Sequence, residues 1–548
     1  MTSRAAAKAT SSFLDRFYAS RVSLPKPTPW RRETVHIPMP DEAVLGADLY
    51  TPAEASKGVL LIRGPYGRGF LMSLGFARAF AGQGYTVLFA STRGTADSTG
   101  VLDPMRDEVG DDHAIVAWMR DQPWYPGRFG TIGGSYLGHT QWALMDDPPD
   151  DLASSVVTMG PHDFSRHFWG TGSFNYDLFG WSAQVAAAGG DTNMLRTMLS
   201  QASFGKRVAP VMEAHPVLPA ADAFFGKLGK DWLHERLIRP DLTDPFWAPM
   251  QHNDAIENTS TPTLILAGWQ DIFLSQSIEQ YTRLRRRGVD VALTVGAWTH
   301  TQLLMGAQPV MGPESLDWLD RHLAGRPLAR RGPVRVEVTG AATWIDLPEW
   351  PPAEVESAAL YLHAGGRLDD ARPNGEAADA TFVFNPAAAT PAIGGNMIAQ
   401  GGYKDDSAYA ARDDVLTYDT GPLTGDVTLL GAPTLVLAHS SDLPDADLFV
   451  RVSDVDAKGR SHNVTETYRR VDGSGPVELT FFDAAHTFKA GHRIRLFIAG
   501  GSFPQFTRNP GTGENPLTAP TLHPNRHTIT HRDGASQLRL PLAIQPIH

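Results

Sequence analysis

In the N-terminal half of the chain, short apolar runs alternate with amphipathic stretches, the pattern of strands and helices taking turns. VHIPMP and LGADLYTP alternate apolar and polar positions like antiparallel strands, and GVLLIRGPYGRGF reads as a buried strand, Val59 to Ile62, breaking into a glycine-rich loop. YTVLFASTRG is a second apolar strand running into a loop. DDHAIVAWMRDQPW then offers acidic residues at its start and apolar positions at Ala114, Ile115, Trp118 and Met119, which predicts a helix. Gly130 to Ile132, LASSVVTMG, TPTLILAG and VALTVGAW continue the set of strands. Such alternation implies a mostly parallel sheet with helices on both faces, an α/β fold. Ahead of it, Phe13 to Val22 predicts a short amphipathic helix, and Pro25, Pro27 and Pro29 impose extended backbone.

The rhythm stops between Gly160 and His252, where DTNMLRTMLSQASFGKRV and DAFFGKLGKDWLHERLI read as helices of an inserted cap. Phe164, Phe168, Trp169, Phe174, Tyr176, Phe179 and Trp181 supply aromatic packing there, and some of them are expected to line a pocket beneath it. Past Gly332 the pattern changes again. VRVEVT, ALYLH, VLTYD, PTLVLAH, LFVRVSDV, VELTFF, HRIRLFIAG and QLRLPL are short strands separated by turn residues, which predicts an all-β sandwich or jelly roll. The expected organisation is an α/β domain in two parts, 1–159 and 253–331, a helical cap at 160–252, and a β domain at 332–548.

With 548 residues the chain is long enough for two or three such domains. A net charge of −12 offers no general attraction for nucleic acid or anionic lipid, so neither is an expected partner. The absence of cysteine excludes disulfides and thiolate chemistry. The N-terminus lacks the unbroken apolar core of a secretory signal and no segment is long and apolar enough to span a membrane, so a cytoplasmic protein is expected. A homo-oligomer is compatible with all of this.

Chemistry enters with RFGTIGGSYLGHTQW, Arg128 to Trp142, where an apolar run meets a glycine pair, presents Ser135 and continues into helix-compatible sequence. A serine forced outward between strand and helix needs small neighbours. The spacing is G-x-S-x-x-G, since Leu137 stands where the commoner motif has its second glycine. A serine hydroxyl needs a histidine to take its proton and a carboxylate to orient that histidine. LILAGWQDIF places Asp271 just after one strand and LTVGAWTHTQ places His300 just after the next, in the order serine, acid, histidine. Two strand ends thus supply both missing groups.

Read together, RGPYGRG, TRGTADSTG, MRDQPWYPGRFGTIGGSYLGHTQW, GWQDIF, GAWTH, WIDLPEWPP, YLHAGGRL, SDLPDADLFVRVSDVDAKGR and FKAGHRIRLFIAGGSFPQFTRNPGTG resemble the cocaine-esterase-type (CocE/NonD) hydrolases. That family is related to the X-prolyl dipeptidyl-peptidase S15 family and the α-amino acid ester hydrolases. The resemblance implies an α/β-hydrolase domain, a helical cap and a C-terminal jelly roll, with Ser135, Asp271 and His300 as the triad. It further implies an oxyanion hole made by the Tyr66 hydroxyl and the Tyr136 amide. Phe273 matches an aromatic on the acyl group, AIGGNMI near Gly394 resembles a β-domain segment reaching the pocket, and Trp169 and His139 are expected to shape it.

The expected reaction is hydrolysis of a small carboxylic ester, or an amide, with no cofactor; the alternatives are an X-Pro dipeptidyl aminopeptidase or α-amino acid ester hydrolase and, more remotely, a non-catalytic carbohydrate- or protein-binding protein. Relatives acting on α-amino esters carry extra acids just after the catalytic aspartate, where this chain has Ile272 and Phe273; cap residues such as Asp163 or Asp177 remain as possible substitutes. No metal is expected: Pro524 denies His523 and His527 a helix, and DVDAKG at Asp454 lacks the acidic ladder of a calcium loop.

Overall fold

Strands buried along their whole length form the middle of the first domain: VLLIRG (β3, Val59–Gly64), TVLFAS (β4, Thr86–Ser91) and FGTIGG (β5, Phe129–Gly134) have no exposed position. Continuous apolar runs of this kind suit parallel strands covered on both faces. The computed structural model describes residues 12–188, 205–227, 232–327, 329, 332–373 and 378–544. Among these, the first sheet has ten strands in the order β1-β2-β4-β3-β5-β6-β7-β8-β9-β10. The others are β1 (Trp30–Pro38), β2 (Val44–Pro52), β6 (Leu152–Thr158), β7 (Thr263–Gln270), β8 (Val291–Thr299), β9 (Val334–Val338) and β10 (Thr343–Leu347). β3 to β9 run parallel, while β1, β2 and β10 join antiparallel at the two edges.

VRVEVT therefore belongs to this sheet rather than to the β domain, because Val334 pairs with Leu293 and Val336 with Val295 in parallel register with β8. Its alternation of buried and partly buried positions looks the same in either setting. The helix Leu274–Arg286 shows how the sheet is covered: Leu274, Ile278, Tyr281 and Leu284 recur at helical spacing and are buried, while Arg285 and Arg286 face solvent.

Between β6 and β7 lies a helical insertion whose described helices include Asp177–Ala188, Val217–Gly226 and Trp232–Leu237. Most of the predicted helix DTNMLRTMLSQASFGKRV falls outside the described residues. Phe164, Phe168, Trp169, Phe174, Phe179, Trp181 and Trp247 form one aromatic core in the insertion, and this core continues onto Tyr136 and Phe273 of the α/β domain.

The C-terminal domain is all-β. PTLVLAH and LFVRVSDV, read separately in the sequence, are one long strand, Thr434–Val455, with a register shift between Ser440 and Asp445. It pairs with Ser461–Thr480, Arg493–Ala499, Asn525–Ile529 and Gln537–Ala543, and so ties much of the domain together.

Candidate active site

β5 delivers Ser135 at the start of the helix Tyr136–Met145, with φ 58° and ψ −121°. Left-handed φ is costly for a residue with a side chain and holds the hydroxyl clear of the strand and helix axes. The turn is held by the Ser135 amide donating to Thr158 O (2.9 Å) and by close packing of Gly138 on Gly160, where an added Cβ would meet Gly160 Cα at 2.6 Å. That approach explains the displaced second glycine of the motif. Contact with the neighbouring strand falls on Gly138, and Leu137 is free to fill the core beside Leu60, Ile62 and Ile132.

His300 begins the helix that follows β8, and the Thr299 side chain caps that helix by accepting from the Gln302 amide. Its Nε2 lies 3.0 Å from Ser135 Oγ and its Nδ1 lies 2.6 Å from Asp271 Oδ1. Asp271 accepts only if Nδ1 carries the hydrogen, which leaves Nε2 as the acceptor for the serine hydroxyl. The other carboxylate oxygen, Asp271 Oδ2, accepts from the Phe273 amide at 2.9 Å. Burial of Asp271 is complete.

Tyr66 follows β3 on the next loop, with its ring 6.4 Å from that of Tyr136 and its hydroxyl oxygen accepting from Trp181 Nε1 at 3.0 Å. Burial pushes its pKa upward, partly offset by the Trp181 indole and the neighbouring Ser135 hydroxyl, so the phenol stays protonated and able to donate. The Tyr136 amide stands at the first position of its helix, where no intrahelical acceptor exists. Beneath the turn, the Tyr136 hydroxyl donates to Glu108 and accepts from the Met105 amide (2.7 Å). Glu108 in turn pairs with buried Arg63, which also holds Asp112 at 2.6 Å. Burial pushes the Asp112 carboxyl up to about 7 against the opposing pull of Arg63.

Phe273 stands beside the histidine, with its ring 5.5 Å from His300, 5.4 Å from Phe164 and 5.0 Å from His167. Burial pushes the His167 imidazole down to about 3, so it is neutral in this apolar wall. Two expected pocket residues lie elsewhere. His139 is fully enclosed on the inward face of the nucleophile helix, with Nδ1 3.0 Å from Pro161 O and its ring against Phe164 and His252, because the turn that carries it faces the core. Trp169 is buried in the insertion, its indole committed to Arg236 O at 2.8 Å and its ring against Phe174.

Three groups near the triad carry no motif of their own. Trp181 was one aromatic among seven. Asp177, on the same helix, is partly exposed yet packed round with protein; this pushes its carboxyl up to about 6, with His300 and the Ile398 amide (3.1 Å) pulling the other way. Asn396 lies within AIGGNMI, so the segment was legible but the residue was not. No group of three or more His, Asp or Glu among the described residues is placed to hold a metal ion, and His527 instead faces His439 at 3.1 Å. No helix among the described residues is long and apolar enough to cross a membrane.

Residues 41–302 match the X-Pro dipeptidyl-peptidase (S15 family), and residues 328–540 match the X-Pro dipeptidyl-peptidase C-terminal non-catalytic domain. The chain belongs to the S15 family. It is a serine hydrolase, consistent with its similarity to the cocaine esterase of Rhodococcus sp. (strain MB1 Bresler), with 28% identity over 539 residues that span 87% of this chain and 92% of that protein. The S15 fold recurs in a solved α-amino acid ester hydrolase at a TM-score of 0.80 and 22% identity, covering 94% of this chain and 96% of that one. It recurs also in an aminopeptidase from the marine sediment archaeon Thaumarchaeota archaeon at a TM-score of 0.77 and 20% identity, covering 99% of both chains.

Proposed function

We propose that this S15 hydrolase cleaves small carboxylic esters through an acyl-enzyme on Ser135. Ser135 Oγ attacks the acyl carbon as His300 Nε2 takes its proton. The tetrahedral oxyanion is held by the Tyr66 hydroxyl and the Tyr136 amide, donors fixed in place before charge develops. Collapse expels the alcohol with the proton returned by His300, and water then repeats the sequence to release the carboxylic acid. Asp271 keeps the imidazole in the tautomer that accepts at Nε2. The observation that carries this reading is the continuous bonding of Asp271, His300 and Ser135, at 2.6 Å and 3.0 Å, on three separate strand ends.

Phe273 and Ile272 support a neutral acyl group, since an ammonium entering such surroundings loses its water without a partner. Neutral acyl and aromatic esters are therefore expected to have higher kcat/KM than matched α-amino esters or X-Pro amides. One observation favours the second reading, an aminoacyl hydrolase: Asp177 is a partly exposed carboxylate on the same helix as Trp181, whose indole bonds Tyr66. A p-nitrophenyl ester panel with one leaving group, run where the amine is protonated, decides between them. Preference for the aminoacyl member that disappears in Asp177→Asn would replace the first reading with the second.

A further inference from the structure

We propose that the all-β domain fixes the catalytic acid through Asn396, making Asn396 a positioning residue of the triad; the inference rests on the serine-hydrolase reading above. The β7–β8 register slips between Gly268 and Gln270, leaving Trp269 outside the ladder just before the acid loop. Asn396 Nδ2 fills this gap from the other domain, donating to Asp271 O at 2.8 Å and to Trp269 O at 3.2 Å. With two carbonyls as partners, the side-chain nitrogen is the only end of the amide that fits. Among the described residues, Asp271 O otherwise receives only a 3.3 Å bond from the Leu274 amide. The carboxylate that aligns His300 thus sits on a loop whose backbone is clamped from outside its own domain.

Asn396 is itself held tightly. Its amide donates to Glu466 Oε1 at 3.1 Å, and its carbonyl accepts from Gln505 Nε2 at 3.2 Å. Glu466 is a buried carboxylate bound by buried Arg451, with one contact at 2.8 Å, and Arg451 also donates to Ile393 O at 2.7 Å. The loop passes so close to this ion pair that Gly395, at φ +84°, leaves no room for a side chain: an added Cβ would lie 2.0 Å from the Glu466 carboxylate. Beside it, Gln270 donates to Val464 O at 3.1 Å and accepts from Asn463 at 3.2 Å, a second tie between the acid loop and the same sheet. A buried ion pair is weak evidence for stability alone, and here its bonds converge on one loop that ends on Asp271. The domain described as non-catalytic in the family therefore sets the geometry of catalysis.

The test is full-length Asn396→Ala. Small misplacement of a catalytic group is costly, so kcat is expected to fall about 10–100-fold while KM stays within about two-fold. The acid limb of the kcat/KM profile should also move to lower pH, because a displaced carboxylate stabilises the imidazolium less. Labelling of Ser135 by a fluorophosphonate should slow in step with kcat. A folded Asn396→Ala with wild-type kcat and labelling rate overturns the proposal, as does a loss of kcat with an unmoved acid limb, which would mark Asn396 as structural. Should Asn396→Ala fail to fold, Glu466→Gln loosens the same loop while keeping the amide. It is expected to shift the limb in the same direction by less, and no shift overturns the proposal. Failure of wild-type Ser135 to label would instead overturn the hydrolase reading, and this inference with it.

Discussion

Asp271 meets His300 at 2.6 Å and Asp146 meets His252 at 2.5 Å, each through the histidine Nδ1. Judged by the pair alone, either is fit to orient a base. The far nitrogens differ. His300 Nε2 faces the Ser135 hydroxyl on a strained turn, whereas His252 Nε2 is buried with no hydrogen-bond partner among the described residues and its ring lies 4.8 Å from that of His139. An aspartate–histidine pair moves a proton only when its outer nitrogen meets a group that has one to give, and the second pair is part of the packing beneath the site. The two acids differ as well, since Asp271 is fully buried while Asp146 keeps a quarter of its side chain exposed.

The two histidines should respond to substitution in opposite ways. His300→Ala is expected to lower kcat by about 10⁴-fold, with Ser135→Ala and Asp271→Asn similarly damaging, since the three act as a unit. His252→Ala should leave kcat within a few-fold of wild type while costing about 1–3 kcal/mol of stability through the partner left unpaired. Steady-state rates beside thermal melts distinguish these outcomes, and a folded His252→Ala as inactive as His300→Ala would refute the contrast.

Smaller effects are expected at the oxyanion donors. Tyr66→Phe removes an oxyanion donor and is expected to cost about 10²-fold or more in kcat with little change in KM. Trp181→Phe keeps that donor but frees it from the indole, worth about 1 kcal/mol or roughly five-fold in kcat. A Trp181→Phe variant as impaired as Tyr66→Phe would mean that the indole itself contacts the reacting group.

The smallest effect concerns histidines that packing keeps neutral. Burial pushes His439 down to about 4 and His527 to about 3. Both are uncharged in the folded and unfolded states above the unfolded value of about 6.5, so they cost nothing there. Below it the unfolded chain takes up protons that the folded chain refuses, and stability falls as pH falls towards 4. Melting temperatures of His439→Gln/His527→Gln between pH 7 and pH 4 should decline less than those of wild type, and an equal decline would remove this pair from the account.

Much of the site was legible because its chemistry requires order along the chain. Ser135, Asp271 and His300 each follow a continuous apolar strand, and the strands announce where the loops face. Tyr66 was accessible by the same rule. Position within a helix was harder: His139 and Trp169 have the residue types of a pocket, but their faces point into cores that only tertiary packing defines. Trp181 carried no local signal separating it from the other aromatics of the insertion. Asn396 lies more than a hundred residues beyond Asp271, and no periodicity records that a loop of one domain closes on another. The same limit moved β9, whose alternation suits an edge of either sheet and whose place is fixed by pairing with β8.

The role of Ser135 as nucleophile is open to intact-mass and peptide analysis after treatment with a fluorophosphonate. A single stoichiometric adduct is expected on the peptide bearing Ser135, formed at a rate that falls with loss of His300 and is unchanged by loss of His252. An adduct on another serine, or none on folded active protein, would contradict it.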